Sequence, residues 1–383
     1  MNIEPALKAL AAALHGEGPA VELSAGPDGD PVVTPVRTLG FEDAVAVVRT
    51  SGSTGTPKAT VLTVDALAAS SMATAFALKG EGQWLLALPL QYVAGVQVLV
   101  RSLFAGTRPW AMDLSGGFTS EAFTAAALEL TDNIRFTSLV PTQLQRLLAD
   151  PSADTLAVLR RFNGILLGGA PASAELLKSA RDAGLRVVTT YGAAETCGGC
   201  VYDGYPLEGV AVRLSEDGRI HLGGATLAAG YLDAPRQTAE SFIEKDGSRW
   251  YRTNDLGTLD ADGRLTVLGR ADDVIITGGV KVSAAHVQAE LEKSDGVTAA
   301  FVAGVESAKW GQAVAAYVAV ARSASGADGA ARDGAAWAEE WHRTLGLLAP
   351  KTVLPAGELI MLPNGKPDRL AMIERLNALH QGK

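Results

Sequence analysis

The sequence predicts an α/β protein with a large N-terminal domain of helix-flanked β-sheets and a β-rich subdomain, followed by a small α+β C-terminal domain. Three observations lead to this class. The 383 residues are enough to bury more than one core. Apolar, β-branched runs alternate with helical patterns over the first 200 residues, as in parallel sheets covered by helices. After about residue 205, short strands and turn dipeptides replace this alternation.

The elements follow one another in a regular order. Strand-like runs such as AVAVVRT, WLLALPL, GILLGG and RVVTTYG alternate with helical patterns such as DALAASSMATAFAL, PTQLQRLLAD and SAELLKSARDAG. Asp-Gly dipeptides at 217–218 and 262–263 then predict antiparallel hairpins. From about residue 270, the helical pattern SAAHVQAELEKS and mixed strands predict a separate small domain. We therefore divide the chain into residues 1–270 and 271–383.

Composition and charge exclude several classes of protein. Hydrophobic residues make up 48% and charged residues 20%, which is typical of a globular protein. The net charge of −9 and the lack of a Lys/Arg block argue against nucleic-acid binding. No apolar run approaches the roughly 18 residues that span a bilayer, and no basic segment precedes the N-terminal Ala/Leu stretch. We expect a cytoplasmic protein with neither a membrane span nor a signal peptide.

The two cysteines, Cys197 and Cys200, have C-x-x-C spacing. Two cysteines are too few to staple a chain of this length, which indicates a reducing compartment. A structural zinc site usually needs four ligands, and no histidine lies within several residues of the pair. The pair therefore predicts packing, and zinc is the weaker interpretation.

The sharpest local feature is the segment TSGSTGTPK, residues 50–58, after the run AVAVVR and before a helix that begins near Thr63 or Asp65. Gly52 and Gly55 permit close backbone approach, and Lys58 supplies positive charge. Hydroxyl donors come from Ser51, Ser53, Thr54 and Thr56. Together these residues predict a cradle for phosphate oxygens. A flexible surface turn is the alternative.

This loop resembles the phosphate loop of the adenylate-forming superfamily of acyl-CoA synthetases, luciferases and nonribosomal peptide adenylation domains. Four further segments follow in the family's order: TYGAAET (190–196), WYRTNDLG (250–257), GRADDVIITGGVKV (269–282) and LPNGKPDR (362–369). The resemblance implies the family's fold and an acid–thiol ligase that forms AMP. It also implies ATP and Mg²⁺ as cofactors and coenzyme A as the thiol cosubstrate.

The resemblance also implies roles in the nucleotide site. In the family, the residue matching Tyr191 stacks on adenine, the one matching Glu195 helps to hold magnesium, and the one matching Thr196 contacts the α-phosphate. Asp255 would accept hydrogen bonds from the ribose hydroxyls, although Asn254 replaces the usual glycine beside it. The expected nucleotide site is completed by Gly169, Ala170, Gly192, Arg270 and the phosphate loop.

The last two matching segments imply movement and catalysis. Asp272 corresponds to the hinge residue whose backbone rotates, so the resemblance implies a hinge there and a mobile small C-terminal domain. Gly278 and Gly279 correspond to residues that line the thiol's tunnel. Lys366 corresponds to the lysine that bridges the substrate carboxylate and the α-phosphate. The expected catalytic residues are Lys58, Glu195, Thr196 and Lys366.

Three stretches resemble more closely the o-succinylbenzoate-CoA ligases of menaquinone biosynthesis: residues 88–106, 138–148 and 190–204. Their substrate is an aromatic dicarboxylate, and Arg101 matches the arginine that faces its second carboxylate. A guanidinium fork suits a planar carboxylate, whereas a snorkelling surface arginine is the alternative. The other expected substrate-binding residues are Gln91, Tyr92, Ser138 and Gly192. Gln91 and Tyr92 replace an aromatic–His pair of many relatives.

Other functions stay open at this point. One is another aryl- or acyl-CoA ligase, for which Arg101 would have no obvious use. A second is a stand-alone enzyme that loads a carrier protein. A third is a nucleotide-binding protein that has lost turnover. The phosphate loop begins near residue 51, earlier than in most family members, so a second subunit covering one flank is a further expectation, and we keep a homodimer open.

Overall fold

The fold is taken from a computed structural model, which describes residues 1–26, 29–50, 57–320, 333–362 and 367–382. The chain divides into two compact units. The first contains Met1–Arg213, His221–Thr253 and Leu259–Leu265, and the second contains Leu214–Ile220, Asn254–Thr258 and Thr266–Lys383. The predicted division after residue 270 stays a prediction. Within the described ranges, no helix combines the length and apolar character that a membrane crossing requires.

Helices and strands follow one another along the chain. The helices are α1 (Glu4–Leu14), α2 (Val64–Ala77), α3 (Val93–Phe104), α4 (Ser120–Leu128), α5 (Pro141–Ala149), α6 (Ala153–Arg160), α7 (Ala174–Asp182), α8 (Pro235–Ser241), α9 (Ala284–Leu291), α10 (Gly334–Leu345) and α11 (Arg369–Gln381). The strands are β1 (Ala20–Ala25), β2 (Pro31–Val36), β3 (Ala44–Thr50), β4 (Lys58–Thr63), β5 (Gln83–Leu86), β6 (Trp110–Ala111), β7 (Arg135–Leu139), β8 (Gly164–Leu167), β9 (Val187–Ala193), β10 (Gly198–Tyr202), β11 (Tyr205–Pro206), β12 (Val210–Leu214), β13 (Arg219–Gly224), β14 (Gly230–Tyr231), β15 (Phe242–Lys245), β16 (Ser248–Leu259), β17 (Leu265–Arg270), β18 (Val274–Thr277), β19 (Val280–Ser283), β20 (Val297–Ser307), β21 (Gly311–Val320) and β22 (Thr352–Ala356). The predicted α/β class is confirmed.

The first sheet holds the two strands that flank the predicted phosphate loop. Its order is β14-β4-β3-β1-β2, and β3 and β4 are antiparallel, with Thr50 opposite Lys58. The helix expected near Thr63 or Asp65 is confirmed as α2, which begins at Val64, and a strand that was not predicted, β4, lies between the loop and this helix. Thr63 caps that helix, because its side chain accepts a hydrogen bond from the Ala66 amide. The pairing holds both ends of the loop together.

The second sheet forms the centre of the first unit. Its order is β11-β10-β9-β8-β7-β5-β6, in which β5 to β9 are parallel and β10 runs antiparallel to β9. Consecutive strand residues point to opposite faces, so Leu85 and Leu86 of β5 enter different cores. Leu86 packs with α2 and α3 residues such as Leu67 and Leu99, whereas Leu85 packs with Phe123 and other residues of α4 to α7. Both faces are therefore covered, as the apolar strand runs predicted.

The β-rich region follows the second sheet in the sequence. A third sheet has the order β12-β13-β16-β15, and β17 also pairs with β16. Tight turns occur at both predicted Asp-Gly positions, where Gly218 and Gly263 have φ angles of +79° and +77°. Glycine reaches this left-handed region without a steric penalty. The two turns are closed by backbone hydrogen bonds from Ser215 to Arg219 and from Asp260 to Arg264.

The C-terminal part of the second unit has its own sheet and core. The sheet order is β19-β18-β21-β20, with β22 parallel to β21. Helices α9 and α10 pack on one face around the stacked rings of Trp337 and Trp341, whose centroids lie 4.9 Å apart. Helix α11 packs in a second cluster with Met372 and Leu376. This is the α+β arrangement that the sequence predicted.

Candidate active site

Several predicted site residues lie outside the described ranges. The phosphate-loop residues Ser51, Gly52, Ser53, Thr54, Gly55 and Thr56 are among them, as is Lys366. Their roles therefore stay predictions. Lys58, the last residue of the loop motif, is described and begins β4.

The described part of the site contains a chain of three polar side chains. Glu195 follows β9 in a single 3₁₀ turn, Ala194–Thr196, and is only 5% exposed. The Tyr231 hydroxyl donates a hydrogen bond of 2.7 Å to Glu195 Oε1. Lys58 Nζ donates to the same hydroxyl at 3.4 Å and lies 4.9 Å from the centroid of the Tyr231 ring. We call these residues the Lys58–Tyr231–Glu195 chain.

The electrostatics of this chain keep Tyr231 neutral. Burial raises the pKa of its phenol, and the negative charge of Glu195 raises that pKa further. A protonated phenol donates its hydrogen to Glu195 and accepts one from Lys58. Tyr231 thus connects the buried carboxylate of Glu195 to the cation of Lys58, although Tyr231 lies 36 positions after Glu195 in the sequence. Sequence reasoning missed Tyr231, because nothing in the run GYLDAP indicates where its hydroxyl points.

The Thr196 hydroxyl is used within its own turn. It accepts a hydrogen bond of 2.9 Å from the Ala193 amide and donates one of 2.8 Å to the Gly198 carbonyl. The side chain is fully buried. Its predicted contact with an α-phosphate stays a prediction, and in this structure the hydroxyl stabilises the turn that carries Glu195.

The cysteine pair lies directly beside this turn. Cys197 and Cys200 are both free and buried. Burial raises the pKa of both thiols, that of Cys200 to about 12. A protonated thiol is neither a nucleophile nor a metal ligand at neutral pH. In the described part of the chain, no group of three or more His, Cys, Asp or Glu residues could hold a metal ion.

Four of the expected nucleotide-binding residues lie at one edge of the second sheet. Gly169 and Ala170 follow β8, and Tyr191 and Gly192 lie at the end of β9, which is parallel to β8. A Cβ added to Gly192 would lie 2.1 Å from the Gly198 carbonyl oxygen, so only glycine allows β9 and β10 to approach so closely. The carboxyl ends of parallel strands are where α/β proteins bind their ligands.

Three of the predicted substrate-binding residues lie on α3 or directly before it, and a fourth lies on β7. Tyr92 caps the start of α3, directly after Gln91, and Ser138 is buried near the end of β7. Arg101 lies near the other end of α3, where its guanidinium carbon is 5.1 Å from the Trp84 ring.

Arg101 lies one helical turn after a residue that reaches the turn carrying Glu195. Gln97, four residues earlier on the same face of α3, donates a hydrogen bond to the Cys197 carbonyl. Trp84, which the Arg101 guanidinium contacts, is level with Phe136 at the amino ends of β5 and β7. The expected grouping of Arg101 with the other substrate-binding residues stays a prediction, as does its contact with a second substrate carboxylate.

A second set of predicted residues lies in the second unit. Both carboxylate oxygens of Asp272 accept hydrogen bonds of 2.8 Å from Arg270. These bonds raise the pKa of the guanidinium, with a smaller contribution from the negative charge of Asp255. Burial opposes the charging of Asp272, but Arg270 outweighs it and lowers the pKa of that carboxyl. The two expected ribose contacts, Asp255 and Arg270, thus lie within electrostatic reach of each other.

The predicted tunnel glycines form a turn between β18 and β19. Gly278 and Gly279 have φ angles of +57° and +83°. A Cβ on Gly278 would lie 2.7 Å from the Trp310 ring, so this position requires glycine for space as well as for backbone conformation. Beside Asp255, the Asn254 side chain accepts a hydrogen bond of 3.2 Å from Arg219.

The donor set suits magnesium bound together with a nucleotide. Mg²⁺ is usually held by one or two carboxylates plus substrate phosphates and waters. Glu195 supplies one carboxylate, of which only Oε1 receives the Tyr231 hydrogen bond. Lys58 would bind phosphate beside it. The remaining metal ligands would come from the nucleotide and water.

Comparisons with known proteins give consistent results. A family model described as AMP-binding enzyme matches residues 6–232. A probable 2-succinylbenzoate–CoA ligase of Mycobacterium tuberculosis is 44% identical over 281 residues, which cover 73% of this chain and 72% of that protein. MatB of Rhodopseudomonas palustris with bound ATP is 25% identical with a TM-score of 0.76, over 93% of this chain and 74% of that one. The o-succinylbenzoate CoA synthetase MenE of Bacillus subtilis, in complex with the intermediate OSB-AMP, is 25% identical with a TM-score of 0.72, over 89% and 70%.

Proposed function

The chain belongs to the AMP-binding enzyme family, and on that basis we propose that it adenylates 2-succinylbenzoate with ATP and transfers the acyl group to coenzyme A. The Lys58–Tyr231–Glu195 chain carries the proposal. The chain links one carboxylate suited to magnesium, Glu195 in the turn after β9, to one cation suited to phosphate, Lys58 at the start of β4. The name of the M. tuberculosis relative supports the choice of acid, as does the OSB-AMP complex of the B. subtilis enzyme.

In the first half-reaction, a carboxylate oxygen of the acid attacks the α-phosphorus of ATP. The bond to the pyrophosphate oxygen breaks, which gives an acyl adenylate and pyrophosphate. Lys58 neutralises phosphate charge, and Glu195 would hold a magnesium ion, which would supply further charge neutralisation. Tyr231 is a positioning residue, because it fixes Glu195 without touching the reacting atoms. Lys366 bridges the acid and the α-phosphate in this proposal, as the resemblance implies.

In the second half-reaction, the sulfur of coenzyme A attacks the acyl carbonyl and AMP leaves with the bonding electrons. The thiol proton passes to solvent or to AMP. We assign Gly278 and Gly279 to the path of the thiol and Asp272 to the hinge on which the C-terminal domain turns between the half-reactions. Asp255 and Arg270 hold the ribose in both. These assignments rest on the matched motifs.

Pyrophosphate release is the direct test. The enzyme is incubated with ATP, Mg²⁺ and either 2-succinylbenzoate, benzoate or a medium-chain fatty acid, each with and without coenzyme A. We expect release and a CoA thioester with 2-succinylbenzoate and little of either with the two monocarboxylates. If only a monocarboxylate formed a thioester, the proposed substrate would be wrong, but the proposed ligase reaction would stand.

Two further outcomes decide among the remaining alternatives. Adenylate formation without transfer to coenzyme A would favour an enzyme that loads a carrier protein. ATP binding without pyrophosphate release from any acid would indicate a nucleotide-binding protein that has lost turnover.

The cytoplasmic location, a homodimer and the absence of nucleic-acid partners belong to the same proposal. The acidic net charge of −9 supports the last of these. Light scattering tests the dimer, because a single mass near the 39.6 kDa of one chain would contradict it.

A further inference from the structure

The outer side of α2 is apolar, although part of its inner side is polar. Ser70, Ser71 and Thr74 of this helix are buried, whereas Met72 and Phe76 are 58% and 64% exposed. This is the reverse of the usual pattern, in which a surface helix turns its polar residues outward. A helix that exposes large apolar side chains usually packs against another surface.

Further exposed apolar residues lie beside the C-terminal end of α2. Phe104, the last residue of α3, is exposed and lines a small cavity together with Ala75 of α2. Ile134 is also exposed, and its side chain would lie 3.7 Å from a Cβ on Gly80, shortly after the helix. We call four of these exposed residues the α2 face: Met72, Phe76, Phe104 and Ile134. Such a group of apolar side chains on adjacent elements indicates an interaction surface.

The outer side of α2 is complementary to itself in shape. Positions 65, 68, 72, 76 and 79 follow one another at spacings of three or four residues and so share one face. If two copies of α2 run antiparallel with Met72 opposite Met72, position 68 lies opposite position 76, because both are equally far from the centre. The small Ala68 then faces the large ring of Phe76, twice in the pair. Bulk on one copy thus meets space on the other.

The charges at the two ends of α2 fit the same arrangement. Asp65 lies in the first turn, and Lys79 follows the helix just after its end. Both are exposed, and within the described ranges neither forms an ion pair in its own chain. In the antiparallel pair they are equally far from Met72, so Asp65 at each end meets the partner subunit's Lys79. Because the helix matches its own charge pattern, a second copy of this chain fits the α2 face better than an unrelated partner does.

We propose that α2 is the interface of a homodimer, in which the α2 face of each copy packs antiparallel on that of the other around a twofold axis at Met72. The 14 residues of α2 span about 21 Å. A standard interface buries about 800 Å² on each side, so Phe104 and Ile134 add needed area to that of the helix. We therefore expect a reversible dimer with a dissociation constant of about 1–50 µM. The interface gives a location to the homodimer of the proposed function, and the proposed chemistry does not depend on it.

Sedimentation velocity of the full-length protein between about 1 and 200 µM tests the dimer. We expect the mass to rise with concentration from the 39.6 kDa of one chain towards twice that value. Phe76→Glu raises the dissociation constant by at least about tenfold, because it buries two unpaired carboxylates. The matched control is Leu128→Glu, at an apolar residue of α4 that is 54% exposed. It changes the dissociation constant by less than about twofold.

Three outcomes separate the interface from the rest of the proposed function. A mass of 39.6 kDa throughout this range would overturn the proposal, whether another partner covers the α2 face or none does. A dimer that Phe76→Glu leaves intact, or that Leu128→Glu weakens equally, would overturn the interface and leave the homodimer in place. A protein that dimerises through the α2 face but releases no pyrophosphate with 2-succinylbenzoate would contradict the proposed chemistry and support the interface.

An exchange of charge tests the antiparallel arrangement. Asp65→Lys places like charges at both ends of the pair, as does Lys79→Asp, so each variant alone weakens the dimer by about 5- to 30-fold at low salt. An equimolar mixture of the two variants restores opposite charges at both ends, and its affinity should lie within about threefold of that of the unmodified protein. A mixture that dimerises no better than its components would overturn the antiparallel interface.

A disulfide locates the twofold axis. Cys197 and Cys200, the two cysteines of the sequence, are buried, so Met72→Cys introduces an exposed thiol. Helices packed about 8–10 Å apart bring facing Cα atoms within the roughly 7 Å that a disulfide spans. On mild oxidation, we expect most of Met72→Cys but little of Leu128→Cys to form a covalent dimer that a reductant reverses. Equal cross-linking of the two variants would overturn the placement of the axis at Met72.

Discussion

Two carboxylates of this protein are held by cations in contrasting ways. In the first unit, Glu195 is 5% exposed and meets Lys58 only through the Tyr231 hydroxyl. In the second unit, Asp272 meets Arg270 directly through two hydrogen bonds, and both side chains are more than a third exposed. One arrangement is buried and joins distant segments, whereas the other is local and partly solvated.

The contrast indicates what each arrangement can do. A buried carboxylate has no water to replace a lost partner, so its position depends on every member of the chain. A partly exposed pair between residues two apart is screened by solvent and contributes little to stability. It can therefore break and reform as the backbone turns. The first arrangement suits a fixed metal site, and the second suits a hinge.

The largest expected effect comes from removing the buried charge. Glu195→Gln keeps the shape and an acceptor for Tyr231 but loses the negative charge that magnesium needs. We expect kcat for pyrophosphate release to fall by about 100- to 1000-fold, as for other electrostatic groups at a reacting phosphate. The control is Glu208→Gln, at an exposed position. A decrease in kcat of less than about threefold would contradict the role of the buried Glu195 as a metal ligand.

A smaller effect is expected from the connecting residue. Tyr231→Phe leaves both charges and removes the hydroxyl between them. Residues that orient a metal ligand typically contribute 10- to 100-fold to metal affinity, so we expect the Mg²⁺ concentration for half-maximal adenylation to rise by about that factor. Excess Mg²⁺ should restore most of the rate, and KM for the acid should change little.

The matched control for this variant is Tyr205→Phe, because Tyr205 is 48% exposed. If Tyr231→Phe lowers the rate equally at all Mg²⁺ concentrations, the hydroxyl does not act through Glu195. The distance of 3.4 Å to Lys58 would then be the more important contact.

The hinge is tested by a change of backbone freedom. Asp272→Pro fixes φ at residue 272 and restricts residue 271 as well. We expect thioester formation to slow by at least about tenfold more than adenylate formation. Asp272→Asn removes the charge of the pair but keeps the backbone free, so it should affect the two half-reactions about equally. Equal losses from Asp272→Pro in both half-reactions would remove the hinge from the proposal.

Much of this architecture was predictable because its signals are local. Apolar runs of β5, β7, β8 and β9 alternate with amphipathic helices, and each pattern is read within a dozen residues. The Asp-Gly turns are local in the same sense. The strand β4 was missed because its partner β3 lies across the phosphate loop. The sequence pattern of a dozen residues does not reveal pairing between strands on either side of a loop.

The candidate site was predictable only where a motif records it. Glu195 and Lys58 lie in matched motifs, whereas Tyr231 acts through a contact that depends on tertiary structure. Arg101 also lies in a matched stretch, and its role stays a prediction. A helix places residues 97 and 101 on the same face, but the sequence does not say which end of the sheet that face meets. In the structure, Arg101 contacts Trp84 near the amino ends of the strands.

The smallest expected effect tests how closed the buried region is, through the thiol of Cys200. Its pKa is raised to about 12 by burial, above the value near 9 of an unburied thiol. Below about pH 8.5 the thiol is neutral in both the folded and the unfolded chain, so it does not change the free energy of unfolding. As the pH rises further, the thiol ionises only in the unfolded chain, so stability falls between about pH 8.5 and 12. Each pH unit in that window costs about 1.4 kcal/mol for this thiol. Between pH 7.5 and pH 10, the free energy of unfolding should therefore fall by about 1–2 kcal/mol less in Cys200→Ala than in the unmodified protein. Denaturant unfolding in reducing buffer measures this difference. An identical pH dependence in the two proteins would mean that water reaches the thiol, and that the region carrying Glu195 is as open as the Arg270–Asp272 pair.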